Sequence, residues 1–149
     1  MNASDHEQSQ PVFKRLKTVC VPLMGATALT ASSVPTVSRL LSELLNILYD
    51  IRSSGYSLNE ATIKYVFFPI YTLLNHNDSV AIPDQPLEKI FMVLNILCKD
   101  WWWYLELKDW DQLFMLCGSV IGGIGTKGKG RERADETKDA AAQCLLTLL

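Results

Sequence analysis

Between Pro35 and Arg52 apolar residues return every three or four positions: Val37, Leu40, Leu41, Leu44, Leu45, Leu48 and Ile51. At 3.6 residues per turn these side chains share one face of a helix, and that face must be hidden from water against another element. The pattern recurs along the chain. Phe13, Leu16, Cys20 and Leu23 mark a helix from about Pro11 to Leu29. Ile63, Val66, Phe67, Ile70 and Leu74 mark one that opens at Ser57. Leu87, Ile90, Val93, Leu94, Leu97 and Trp101 line a fourth, after Pro83–Pro86. Leu113, Phe114, Leu116, Cys117, Val120 and Ile121 belong to a fifth beginning near Asp109. Ala141, Cys144, Leu145 and Leu148 belong to a sixth, from about Arg131 to the end. No long period-two alternation and no Asn-Gly or Asp-Gly hairpin turn occurs, so the predicted fold class is all-α with about six helices.

Local signals set the expected ends. Pro11 suits a first turn, Pro22 is expected to kink the first helix, and Ser53-Ser54-Gly55 ends the second. Ser57 and Glu60 form a capping-box pair, as do Asp109 and Gln112, and Asp84 is the expected cap of the fourth helix. Pro69 predicts a kink or an early end in the third. Starts near residues 12, 58 and 109 are 46 and 51 residues apart. Paired-helix repeats of the HEAT kind recur at about 40–47 residues. The expected architecture is therefore antiparallel helix pairs stacked as a HEAT-like α-solenoid, although a compact six-helix bundle satisfies the same pattern. Polar residues 1–10 read as a disordered tail. Residues 11–149 read as the N-terminal repeats of a longer solenoid, because Leu145–Leu149 is apolar where a terminal repeat needs a polar face. Gly122–Gly130 reads as a flexible linker.

Little in the chain points to chemistry. A formal charge of −2 and a pI near 5.6 give no global pull toward nucleic acid or anionic membrane. Lys14, Arg15 and Lys17 read as the wet side of the first helix. Residues 127–139 mix five positive with four negative side chains, which is a solvated helix start rather than a nucleic-acid stripe. Thr18–Ser38 is uncharged over 21 positions, but Pro22, Gly25, Pro35 and seven Ser/Thr residues make it a helix end, a turn and a helix start rather than a membrane span. The first ten residues lack the pattern of a secretory signal. Cys20, Cys98, Cys117 and Cys144 lie in apolar stretches with gaps of 78, 19 and 27 residues, a spacing for reduced core thiols rather than for a metal. Gly123–Lys129 satisfies seven positions of a phosphate-loop pattern, but Gly130 stands where Ser or Thr must hold Mg²⁺, and the preceding segment reads as helix rather than strand. No catalytic arrangement, cofactor site or metal site is expected.

The run Trp101-Trp102-Trp103-Tyr104 stands apart. If the fourth helix continues, each residue turns by about 100°, which puts Trp101 on the stripe of Ile90, Leu94 and Leu97 and Trp103 about 200° away. Three consecutive tryptophans cannot share one core. Trp102 and Trp103 are the candidate partner-binding residues, with intramolecular packing alongside Trp110 as the alternative.

Several segments, in order, carry a resemblance: Val12-Phe-Lys-Arg-Leu-Lys-Thr-Val-Cys-Val-Pro-Leu23, Tyr65-Val-Phe-Phe-Pro69, Asp100-Trp-Trp-Trp103 and Lys138-Asp-Ala-Ala-Ala-Gln-Cys-Leu-Leu146. Together they resemble the N-terminal end of the Tel-two-interacting protein one family, in a fungal version. That resemblance implies the first repeats of a long HEAT-repeat scaffold. It also implies a non-catalytic subunit of the Triple T complex, with the Tel-two protein and the second Tel-two-interacting protein as partners. The implied work is with the Hsp-ninety chaperone system, in the maturation of phosphatidylinositol-kinase-related kinases, in the cytoplasm and nucleus. The resembling positions are packing positions and carry no chemical role. The competing readings are another helical-repeat adaptor, such as a transport-receptor piece, and a nucleotide-binding enzyme using the glycine loop.

Overall fold

The computed structural model describes residues 3–26, 29–55, 58–76, 82–122 and 135–148. Six helices follow one another: α1 (Ala3–Gly25), α2 (Val34–Ser54), α3 (Glu60–His76), α4 (Asp84–Trp101), α5 (Leu107–Gly122) and α6 (Asp135–Leu148). A single 3-10 turn, Trp102–Tyr104, joins α4 to α5, and there is no strand among the described residues. The expected all-helical stack is what the chain forms.

The helices pair in sequence, α1 with α2, α3 with α4 and α5 with α6, and the pairs stack. One row consists of α2, α4 and α6. Arg52 near the end of α2 reaches Asp100 near the end of α4, and Thr147 near the end of α6 places its hydroxyl against the Asn95 carboxamide of α4. Matching ends meet, so the three helices of this row run parallel, as equivalent helices of successive repeats do. Their starts at 34, 84 and 135 are 50 and 51 residues apart. In the other row α1 packs on α3, with the Phe13 and Tyr65 rings 5.1 Å apart.

Helix α4 is the centre. Pro86, Leu87, Ile90, Phe91, Val93, Leu94, Ile96, Leu97, Cys98 and Trp101 are all buried, more than one face of a helix can hold. It has α2 on one side, α6 on the other and α3 against it. One apolar cluster runs through all six helices, from Leu16 and Leu23 of α1 to Cys144 and Leu148 of α6.

Several helix ends differ from expectation. Helix α1 begins at Ala3, ahead of the expected start at Pro11; Glu7, Gln8 and Gln10 are good helix formers. It passes through Pro22 and stops at Gly25, short of Leu29. Helix α3 likewise runs through Pro69 to His76 without ending early. Its cap is Asn59, whose Oδ1 accepts the Thr62 N–H at 2.8 Å; Ser57, the expected cap, lies outside the described residues. Pro83 holds the cap position of α4, and Asp84 sits inside the first turn, where its charge meets the positive end of the helix. At α5 the capping is shifted by one turn. Asp109 is the residue that reaches back, accepting the Glu106 N–H at 3.0 Å. Gly55 ends α2 as expected, at φ 72°, with its N–H donating to the Arg52 carbonyl at 3.2 Å. The linker expected at residues 122–130 lies, after Gly122, outside the described residues.

All four cysteines are buried and free. Burial pushes the Cys20 and Cys98 thiols from 9.0 up to about 12, because a thiolate loses its hydration there. In the unfolded chain these thiols ionise near 9.0, while in the fold they remain protonated to about 12. Stability is therefore full below pH 9 and falls from there toward pH 12. We expect the urea midpoint to be lower at pH 10.5 than at pH 7.5, with the Cys20→Ala variant, measured against its own pH 7.5 value, losing less over that interval.

Candidate functional site

The aromatic elbow between α4 and α5 is the most unusual surface of the molecule. Trp101 ends α4 with φ −136° and ψ 34°, outside the helical region, and the chain turns into the tighter 3-10 geometry. Trp101 is buried, 4% exposed, on the α4 stripe as its helical phase predicts. Trp102 and Trp103 are 55% and 52% exposed. The sequence expectation assumed a continuing α-helix; the 3-10 turn changes the angles but leaves both tryptophans outside the core.

Their rings are organised. Trp102 and Trp103 meet edge to face, centroids 6.0 Å apart at 84°, the arrangement that the ring quadrupoles favour. Trp103 lies 5.6 Å from Tyr104, whose hydroxyl points to the Leu58 carbonyl at 3.5 Å, just ahead of α3. The Leu105 N–H closes the turn on the Trp102 carbonyl at 3.1 Å. The elbow is thus braced against the neighbouring helix pair. Behind it a groove of about 380 Å³ is lined by Cys98, Lys99, Trp102, Trp110, Thr147 and Leu148, which brings α4, α5 and α6 to one place. Trp110 is half-buried against the core and shares this groove with Trp102, so part of the expected intramolecular packing is present beside the exposed rings.

A second surface was not legible in the sequence. Phe114 and Ile121, expected in the core, are 47% and 38% exposed; Leu113, Cys117 and Val120 are buried instead. With Leu107, Phe114 and Ile121 form a stripe at seven-residue spacing on the solvent side of α5, and Met115 adjoins it. A helix whose two faces are both apolar is built to lie between two neighbours.

The remaining chemistry is sparse. The Cys144 thiol is pushed up by its hydrogen bond with Cys117 and by burial, which keeps it unreactive. Among the described residues no group of three or more His, Cys, Asp or Glu side chains is arranged to hold a metal ion. No described helix is long and apolar enough to cross a membrane. The glycine loop, Gly123–Gly130, lies outside the described residues; ahead of it stands helix α5, where a phosphate loop takes a strand.

Comparison with known proteins gives one match. A family model described as the TTI1 N-terminal TPR domain covers residues 13–149. No curated protein and no solved structure matches the chain. A TPR unit is about 34 residues. The helix pairs here recur at 50 and 51 residues by the starts of α2, α4 and α6, a longer unit of the same helix-turn-helix kind.

The two classes of tryptophan separate in a stability measurement. Trp101→Ala is expected to cost ~3–5 kcal/mol, since it empties a core site beside Leu97 and Leu94. Trp103→Ala is expected to cost about 1 kcal/mol, the range of an exposed site that loses its two ring contacts, to Trp102 and Tyr104. Urea denaturation followed by far-UV circular dichroism decides the order.

Proposed function

Because the chain belongs to the TTI1 family through its N-terminal TPR domain, we propose that it serves as a non-catalytic scaffold subunit of a cochaperone complex. The complex supports assembly and stability of phosphatidylinositol-kinase-related protein kinases. Its partners in this reading are the Tel-two protein, the second Tel-two-interacting protein, the Hsp-ninety system and the kinases themselves, in the cytoplasm and nucleus.

The observation that carries the reading is the exposed, pre-ordered pair Trp102 and Trp103. Half of each ring faces water, on a turn held by Tyr104 and a backbone hydrogen bond. Tryptophan in such a position loses little freedom on docking and gains much from being covered, which is why it is enriched at binding hot spots. The stripe Leu107, Phe114 and Ile121 fits the same role differently. It lies on the side of α5 that no described helix covers, and a following helix pair of a longer solenoid would cover it. A stack of helix pairs with apolar and mixed-charge surfaces binds through many modest contacts and needs no reactive group.

The test is co-purification from cells of the full-length parent protein. The unaltered parent should bring down both complex partners and the kinases, and a Trp102→Ala/Trp103→Ala parent should bring down at least one of them severalfold less, at equal abundance and melting temperature. Recovery of the unaltered parent alone, at low salt, contradicts the scaffold reading. Unchanged recovery with the double variant contradicts the role of the elbow.

A further inference from the structure

The row of parallel helices has a second groove, which shares Lys99 with the groove behind the elbow but not its tryptophans. Along α4 the outward residues Glu88, Lys89, Met92 and Asn95 are only half-exposed, because α2 and α6 stand on either side. Across this recess runs a groove of about 190 Å³ that touches all three helices. Met92 and the buried Ile96 supply an apolar floor, and Ala140 of α6 adds to it.

The polar groups around that floor are mostly hydrogen-bond donors. Arg52 is pinned by a two-pronged contact to Asp100, Nε to Oδ2 at 2.7 Å and Nη2 to Oδ1 at 3.1 Å, and its guanidinium sits 5.9 Å from the centroid of the Tyr49 ring. The Nη1 edge is not used by that contact, so a fixed donor remains. The Thr147 hydroxyl lies between the Asn95 carboxamide and the Gln143 carbonyl, and its single proton serves one of them. Lys99 is exposed and forms no ion pair among the described residues. Gln143 brings a carboxamide from α6. None of the lining residues is acidic.

We propose that this groove docks an extended acidic peptide segment of a partner protein, with a carboxylate held by Lys99 and Arg52 and an apolar side chain on Met92 and Ile96. Three features favour a peptide over other anions. The carboxamides of Asn95 and Gln143 offer both a donor and an acceptor, which is what a peptide group requires. Neighbouring helices lie about 8–10 Å apart, so an extended chain rising about 3.3 Å per residue meets the next helix every third residue. The apolar floor has no use for a sugar or a bare phosphate.

The experiment is fluorescence polarisation with the 149-residue chain and a fluorescein-labelled hexapeptide of glutamates and leucines. A glutamine-for-glutamate peptide and a labelled hexauridylate serve as comparisons. We expect saturable binding of the acidic peptide, at least tenfold weaker binding of the glutamine peptide and of the acidic peptide to Lys99→Glu, and severalfold weaker binding to Gln143→Ala. Lys99→Arg should retain the affinity. Trp102→Ala should leave it unchanged, which separates this groove from the aromatic elbow. Lys99 is a surface residue, so the variants should melt with the parent. No binding at millimolar peptide, equal binding of the glutamine peptide, tighter binding of the hexauridylate, or loss with Trp102→Ala but not with Gln143→Ala overturns the proposal.

Discussion

The structure depends on the burial of α4 from two sides at once. A helix that shows water only a narrow strip cannot be stable without both neighbours, and α2 and α6 each cover a different part of it. The pairing of α1 with α2 and of α5 with α6 then follows, because each of these helices has one face left to hide. Polar contacts set the register and contribute little energy by comparison. The Arg52–Asp100 pair is partly exposed, with side chains 38% and 23% accessible, so its net contribution is modest. What it fixes is the level at which α2 and α4 meet, as Asn95 and Thr147 fix the level of α4 and α6.

Much of this was legible as period. The stripe of α2 names its buried residues almost one for one, and the phase of α4 places Trp101 inside but leaves out Phe91, Ile96 and Cys98, which are buried by the second neighbour. Helix α5 was not legible, for a physical reason. Leu113 and Phe114, Leu116 and Cys117, and Val120 and Ile121 are adjacent apolar pairs, so two stripes of the same period lie side by side. Periodicity says that a helix forms, but only the neighbour it meets decides which stripe is covered. Helix starts were ambiguous in the same way. Ser57 and Asn59 both have side chains able to cap, and among the described residues Asn59 accepts the Thr62 N–H. The recessed surface of α2, α4 and α6 draws on residues nearly a hundred positions apart, from Tyr49 to Gln143, and no local pattern joins them.

The surfaces divide the molecule into regions with different demands. Buried cysteines, leucines and isoleucines serve the stack alone. The elbow is apolar and braced, the α5 stripe is apolar and helical in spacing, and the recess across the parallel row is rich in donors. A scaffold built from stacked pairs can present such distinct faces because each helix has one side committed to its neighbours and one side free.

The edge-to-face contact of Trp102 and Trp103 also makes the elbow its own optical probe. Two indoles held 6.0 Å apart at 84° couple their ultraviolet transitions, and the coupling depends on distance and tilt. Anything that settles on the turn and shifts either ring alters that near-ultraviolet signature directly. Trp101 and Trp110, one buried and the other partly so, contribute a background less sensitive to events on the surface. Occupancy of this corner is therefore readable from intrinsic absorption, with no label attached.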